Sequence, residues 1–130
     1  MQQSKWDLAF ADYQKAIELS PNDVTALRGR GSIFSIRGQY EEGIADFSKA
    51  ISLDDTNAIV FGVRGVNYYL QKKYDLALSD LTKAIALDPN YRMAYQFRAS
   101  TYRATGQANL ASLDDAKVSS IGTSAPPAKP

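Results

Sequence analysis

Apolar residues recur along most of this chain at steps of three and four residues, the spacing of an amphipathic α-helix. Bulky and small side chains alternate on this stripe. The large–small–large triplets are Leu27, Gly31, Phe34; Phe61, Gly65, Tyr68; and Tyr95, Ala99, Tyr102. Each of the first two triplets is followed by a second stripe of the same kind: Tyr40, Gly43, Phe47, Ala50, and then Tyr74, Ala77, Leu81, Ala84. Because small residues let helices approach closely, the pattern predicts antiparallel helix hairpins.

Breaks in the pattern delimit the helices. Gly38 and Gly106 stand between paired helices, where a left-handed residue is useful, whereas Lys72 takes that place once. Pro21 and Pro89 stop the helices that precede them. The sequence therefore predicts an all-α protein with helices at about 5–19, 23–37, 40–53, 57–71, 74–87, 91–105 and 107–119. The segment 120–130, SIGTSAPPAKP, is predicted to be a disordered, Pro-rich tail.

The stripes repeat with a period of 34 residues. The period, the small–large alternation and the ending LDPN at 87–90 resemble the tetratricopeptide repeat (TPR) family. The resemblance implies a right-handed superhelical solenoid over residues 1–119. Its units are a half repeat at 5–22 and repeats at 23–57, 58–91 and 92–119. The last unit is degenerate, since Ala108 and Asp115 replace bulky residues, and it is interpreted as a cap.

Composition argues against most kinds of chemistry. The chain of 130 residues has a formal net charge of +1 and contains no His and no Cys. The usual nucleophile–base pairs and the commonest metal ligands are therefore missing, and we expect no enzyme, no metal and no cofactor. The weak charge gives no reason to expect nucleic acid, and no apolar run predicts membrane insertion. No signal peptide is evident, so a cytoplasmic protein is expected, or a periplasmic one if a signal peptide has been removed.

Two charged rows follow the repeat, and they raise the question of a reactive site. The rows are Asp12, Asp46, Asp80, Asp114 and Arg30, Arg64, Arg98. Successive units of stacked helices lie roughly 9–10 Å apart, too far for shared carboxylate chemistry. We expect structural ion pairs instead: Arg30 with Asp46, Arg64 with Asp80, and Arg98 with Asp114. An alternative register pairs Asp12 with Arg30.

The first predicted helix lacks a partner helix in its own unit. Its apolar residues Trp6, Phe10, Tyr13 and Ile17 should form an uncovered strip. Either this chain is part of a larger protein that covers the strip, or the strip mediates self-association.

The first helix of each unit also carries a second, unusually apolar face. In TPR proteins this face lines the concave, peptide-binding groove, and the resemblance implies the same here. The candidate groove residues are Arg28, Ser32, Ile59, Gly62, Val63, Val66, Tyr69, Leu70, Gln96, Phe97, Ser100 and Arg103. Gly29 and Gly62 are expected to leave room for a ligand backbone, and Arg28 and Arg103 to hold acidic groups. Packing between repeats explains part of the same face equally well.

TPR domains that bind the carboxylate terminus of chaperones use Lys and Asn on these faces. Here Gly62, Val63 and Phe97 occupy such places, so the carboxylate clamp is not expected. The sequence thus predicts a non-enzymatic interaction module that binds a protein or peptide segment. The alternative function is self-assembly into a dimer or filament through the uncapped first helix.

Overall fold

Seven α-helices and no strands make up the described backbone, residues 2–123 of the computed structural model, whose side chains are described from 5 to 121. The helices are α1 (Gln2–Leu19), α2 (Val24–Ile36), α3 (Tyr40–Leu53), α4 (Ala58–Leu70), α5 (Tyr74–Leu87), α6 (Arg92–Ala104) and α7 (Ala108–Thr123). The five internal helices begin and end within one residue of their predicted bounds.

The two terminal helices are longer than predicted. Helix α7 continues to Thr123, because Val118 and Ile121 extend its half-buried apolar side beyond residue 119. The predicted tail therefore cannot begin at residue 120. Its remainder, residues 124–130, lies outside the described part of the chain.

The helices pack in sequence order. The most extensive contacts join α2 with α3, α4 with α5, and α6 with α7, so each pair forms a hairpin. Neighbouring hairpins meet through α3 with α4 and α5 with α6, and α1 packs on α2 in the same way. First helices also contact each other, α2 with α4 and α4 with α6. This is the nearest-neighbour packing of a solenoid.

Small residues bring the two helices of each hairpin into close contact, as the sequence predicted. A methyl group added at Gly31 would lie 2.7 Å from Cε1 of Phe47, and one at Gly65 would lie 2.9 Å from Cγ of Leu81. Phe47 and Leu81 are both fully buried. In these two hairpins the bulky residue of the second helix thus fills the space beside the glycine of the first.

Positive φ angles close the turns between paired helices. Gly38 has a φ of 78° and Gly106 a φ of 79°, as expected for left-handed residues after a helix. Lys72 occupies the equivalent place and adopts a φ of 63°. The middle turn therefore keeps the same shape without glycine, at a cost in backbone strain.

Candidate functional site

Each repeated Asp from Asp46 onward is bound by the Arg of its own hairpin. Nε and Nη2 of Arg64 donate to Oδ2 and Oδ1 of Asp80 at 2.7 and 2.8 Å. The same two-bond contact joins Arg30 to Asp46 and Arg98 to Asp114. These three Asp residues are buried. The predicted ion pairs are thus present in all three hairpins.

The third guanidinium nitrogen of each Arg, Nη1, donates a hydrogen bond to a side chain of the preceding unit. Nη1 of Arg30 donates to Oε1 of Gln14 at 3.0 Å, and Nη1 of Arg64 donates to Oγ of Ser48 at 3.0 Å. Arg98 makes the equivalent bond to Thr82. The alternative pairing of Arg30 with Asp12 is therefore wrong, because the residue of α1 that faces Arg30 is Gln14.

These contacts fix the charge state of the Arg residues. The hydrogen-bonded Asp80 carboxylate raises the pKa of Arg64 above its ordinary value, and burial acts in the opposite direction. Asp46 and Asp114 raise the pKa values of Arg30 and Arg98 in the same way. A carboxylate held by two guanidinium hydrogen bonds is committed to structure, so the Asp–Arg pairs brace the hairpins.

A cleft opens on the side of the solenoid where the first helices of successive units meet. Its volume is about 170 Å³ and its surface is almost entirely apolar. We call it the central cleft, and it is lined by Ser32, Ser35, Ile36, Phe47, Val63, Val66, Asn67 and Met93. Three of the predicted groove residues, Ser32, Val63 and Val66, come together here.

A buried hydrogen-bond network fixes one wall of the central cleft. Asn67 is only 2% exposed, and its Nδ2 donates to Oγ of Ser35 at 2.7 Å. That hydroxyl in turn donates to the backbone oxygen of Gly31 at 3.0 Å. The network links α4 to α2, so the cleft is preformed.

Several predicted groove residues are engaged elsewhere. The ring of Phe97 packs edge-on against Tyr69, with centroids 5.6 Å apart, between α4 and α6. The side chain of Arg103 is bound to Asp115 of α7. Packing between repeats thus uses part of this face, as the second interpretation expected. Five further candidates are exposed or half-buried, namely Arg28, Ile59, Leu70, Gln96 and Ser100, whereas Gly62 is buried.

The expected room beside the two glycines does not exist. A methyl group at Gly62 would lie 2.5 Å from Cε2 of Tyr91, and one at Gly29 would lie 2.3 Å from Cζ of Tyr13. Each glycine is therefore covered by a tyrosine ring of this chain. Burial raises the pKa of Tyr91 to about 12, with a smaller effect of Asp88 in the same direction.

The predicted strip on α1 is only partly uncovered. Phe10 packs edge-on against Phe34 with centroids 5.2 Å apart, and Ile17 packs against the cluster around Leu27. Trp6 is 38% exposed, and Tyr13 is half-buried over Gly29. Phe10, Tyr13 and Ile17 thus pack against α2, while Trp6 and one side of Tyr13 border an open hollow.

That hollow lies between α1 and α2 and has a volume of about 260 Å³. We call it the N-terminal hollow, and it is lined by Trp6, Ala9, Tyr13, Thr25, Arg28, Gly29, Ser32, Ile33 and Ile36. It adjoins the central cleft, with which it shares Ser32 and Ile36.

Sequence reasoning missed the roles of Asn67 and Tyr91. Asn67 follows the buried Ile33 by one period of 34 residues, so a polar residue at a position that is apolar in the preceding unit was its signal. Tyr91 occupies the helix-start position at which Asp23 and Asn57 cap α2 and α4 with their side chains. A tyrosine at a position where a side-chain cap is expected was the sequence signal that Tyr91 has another role.

The repeat family is established by comparison with known proteins. Tetratricopeptide repeat models match residues 29–57 and 58–91. A solved structure described as the second TPR of Spaghetti (RPAP3) bound to the HSP90 peptide SRMEEVD is 31% identical. The match covers 75% of this chain and 91% of that one, with a TM-score of 0.74. The chain belongs to the tetratricopeptide repeat family, and its fold is a TPR-type solenoid.

Other similar structures span more of the chain. The crystal structure of MamA is 26% identical with a TM-score of 0.86, and the match covers 94% of this chain and 71% of that one. MamA from Desulfovibrio magneticus RS-1, residues 41 to the end, has a TM-score of 0.85 at 18% identity, covering 96% of this chain and 71% of that one. The latter likeness concerns the fold alone. No curated protein sequence matches the chain.

Membrane-spanning helices and acidic metal sites are both absent from the described residues. No helix among them has the length and apolar character needed to cross a membrane. Within the same residues, no three acidic side chains converge as a metal site would require. Proteins of this repeat family generally serve as interaction scaffolds.

Proposed function

We propose that this chain is a non-enzymatic interaction module that binds an apolar peptide segment of a protein partner in the central cleft. The observation that carries the proposal is the cleft itself, an apolar depression between first helices whose wall is held by the bonds of Asn67. A preformed cleft lowers the ordering cost of binding, because the partner segment alone must lose conformational freedom.

The chemistry of the lining selects the partner. Val63, Val66 and Met93 present aliphatic and thioether groups, while Ser32 supplies a hydroxyl. We expect one or two apolar side chains of an extended or helical segment to enter, with backbone groups near Ser32. The related Spaghetti domain holds a peptide that ends in EEVD. The apolar lining here favours a segment without a terminal carboxylate.

The two arginines predicted at the ends of the groove also have other neighbours in the structure. Arg103 pairs with Asp115 at the surface, and Arg28 borders the N-terminal hollow. The charge of Arg28 acts to lower the pKa of Tyr91, against the larger effect of burial. We therefore propose a binding surface that is shorter and more apolar than the one expected from the sequence.

Peptide selection followed by mapping tests the proposal. Peptides from a random phage-displayed library are selected on the wild-type chain, synthesised and titrated into ¹⁵N-labelled protein. We expect the largest amide shifts at residues 32–36 and 63–67 and at Met93. Shifts confined to the opposite faces of α3 and α5 would refute the central cleft as the binding site.

Self-assembly through α1 is the second candidate function. The observation in its favour is the exposure of Trp6 beside Leu8, which is 68% exposed. Phe10 and Ile17 are already packed within the chain, so only part of the predicted strip can take part. Light scattering over a range of concentrations, with Trp6→Glu as the variant, tests it: assembly that this variant abolishes would support the second function.

A further inference from the structure

A buried amide interrupts the apolar wall of the central cleft. Asn67 lines the cleft and is 2% exposed, at a position where the preceding unit carries the buried Ile33. Its neighbours in the lining include Val63, Val66 and Met93. Burying an amide among such groups is costly unless its polar atoms have hydrogen-bond partners. The partners of its nitrogen and of its oxygen therefore show what the cleft requires.

The hydrogen bonds of Asn67 fix which end of the amide faces the cleft. The hydroxyl of Ser35 uses its single proton on the backbone oxygen of Gly31, at 3.0 Å. It can therefore only accept from Asn67, so the atom that lies 2.7 Å from Ser35 Oγ is the amide nitrogen Nδ2. The same nitrogen donates to the backbone oxygen of Tyr40 at 3.5 Å. Both protons of the amide are thus used toward α2 and α3.

The amide oxygen of Asn67 has no such partner. Oδ1 accepts no hydrogen bond from any residue that the structure describes. Among the unbonded side-chain atoms of those residues, only Oε1 of Gln71 is wholly enclosed. Oδ1 of Asn67 therefore reaches open space, and the space that Asn67 lines is the central cleft. The cleft thus offers a hydrogen-bond acceptor on a nearly buried residue.

The size and lining of the cleft favour a single aromatic ring. The cleft has a volume of about 170 Å³. An apolar cavity of roughly 150 Å³ holds one benzene ring. The thioether of Met93 makes favourable contacts with ring edges, and Phe47 adds an aromatic surface. An indole is larger than one benzene ring, and a phenyl group has no proton to donate. The side chain that combines one ring with a donor at its tip is that of tyrosine.

We propose that the central cleft is a tyrosine pocket, in which the hydroxyl of a tyrosine in the partner segment donates a hydrogen bond to Oδ1 of Asn67. The ring of that tyrosine lies against Val63, Val66 and Met93. This inference rests on the proposed function and narrows it from an apolar segment to one that contains tyrosine. Phenylalanine is disfavoured, because its ring would remove water from Oδ1 without supplying a proton.

Small molecules that reproduce single side chains test the pocket without any peptide. The side chain of tyrosine is p-cresol and that of phenylalanine is toluene, and each is titrated into the ¹⁵N-labelled whole chain. We expect p-cresol to bind at least about fivefold more tightly than toluene. Its shifts should include the side-chain amide signals of Asn67, together with the backbone amides of residues 63–67 and Met93. Equal affinities, or shifts that spare the side chain of Asn67, would overturn the proposal.

Two variants copy the residues that other units carry at the place of Asn67. Asn67→Ile introduces the residue found at Ile33, and Asn67→Thr the residue found at Thr101, whose hydroxyl donates to the backbone oxygen of Phe97. Both residues are buried in their own units, so the variants should fold, which melting curves check. Because both variants lack the amide oxygen, each should bind p-cresol and toluene equally, and a preference for p-cresol that survives in both would overturn the proposal. The control Ile36→Ala shortens the apolar wall and should weaken both probes by a similar factor.

Peptides separate this inference from the proposed function. In peptides that are selected on the chain and mapped to the central cleft, we expect a recurrent tyrosine. Replacing it by phenylalanine should weaken binding at least about fivefold. Cleft-binding peptides that tolerate this replacement would overturn the tyrosine pocket and leave the proposed function standing. Selective binding of p-cresol without any cleft-binding peptide would support the pocket and refute the proposed function.

Discussion

Replacing Asp80 by Ala removes the carboxylate that holds Arg64 and leaves a guanidinium between two helices with Ser48 as its remaining described side-chain hydrogen-bond partner. The side chain of Asp80 is 7% exposed and that of Arg64 is 19% exposed. Breaking a buried ion pair in this way costs about 3–5 kcal/mol when no water can reach the remaining charge. Because Arg64 is partly exposed, we expect a loss of about 2–3 kcal/mol in the free energy of unfolding.

Urea unfolding followed by circular dichroism at 222 nm measures this loss, and thermal unfolding should show a decrease in Tm of about 8–12 °C. The matched control is Asp55→Ala, since Asp55 is exposed and makes no described hydrogen bond. It should change stability by less than about 0.5 kcal/mol. The dependence of the unfolding free energy on urea concentration, the m value, must be equal for wild type and variants. This requirement is needed because a solenoid can unfold in parts, and the free energies are comparable only when the same part unfolds.

A double-mutant cycle of Asp80→Ala with Arg64→Ala measures the interaction free energy between the two side chains. The double variant should be more stable than the sum of the two single losses predicts, with a coupling of at least about 1 kcal/mol. An Asp80→Ala variant as stable as Asp55→Ala, or strictly additive losses, would refute the assignment of the Asp–Arg pairs as braces.

Three further predictions concern backbone shape, close packing and titration. Because residues 38 and 72 both have a positive φ, Lys72→Gly should stabilise the chain by about 0.5–1 kcal/mol and Gly38→Lys should destabilise it by a similar amount. Thermal unfolding checks this: the Tm should rise for Lys72→Gly and fall for Gly38→Lys. Gly65→Ala should cost about 1–3 kcal/mol, because its methyl would lie 2.9 Å from Leu81, and an unchanged urea midpoint would contradict this. The difference between the absorbance titrations at 295 nm of the wild type and of Tyr91→Phe should have a midpoint near pH 12. The contribution of Tyr91 to the free energy of unfolding should be complete below pH 10.0 and lost as the pH rises to about 12. A midpoint near pH 10 in the difference titration would contradict the burial of the Tyr91 ring.

The scaffold is predictable from sequence because it repeats. Gly31 and Gly65 occupy the same place on the same stripe, so one packing rule explains both. The Asp–Arg pairs are predictable because the Asp row and the Arg row share the period of 34 residues, and an antiparallel hairpin places each Arg beside the Asp of its own unit. Because each helix boundary can be compared with the same position in the other units, the bounds of the internal helices lie close to those predicted.

The candidate binding surface is less predictable, because it depends on residues that break the repeat. Gly29 and Gly62 have no glycine counterpart in the other units, and the rings of Tyr13 and Tyr91 fill the room expected beside them. Arg103 is taken by Asp115, a pair outside the repeated rows. Such contacts depend on the positions of single side chains in three dimensions, which a periodic pattern does not contain.

The central claim is that the central cleft binds an apolar segment of a partner. Its most direct test is the Kd of a selected, fluorescently labelled peptide, measured by anisotropy for wild type, Val66→Glu and Leu76→Glu. Val66 lines the cleft, whereas Leu76 is exposed on α5 outside it, so the two variants introduce the same charge at different places. We predict at least tenfold weaker binding for Val66→Glu, with an unchanged melting curve, and less than a twofold change for Leu76→Glu. Equal affinities for wild type and Val66→Glu would contradict the claim.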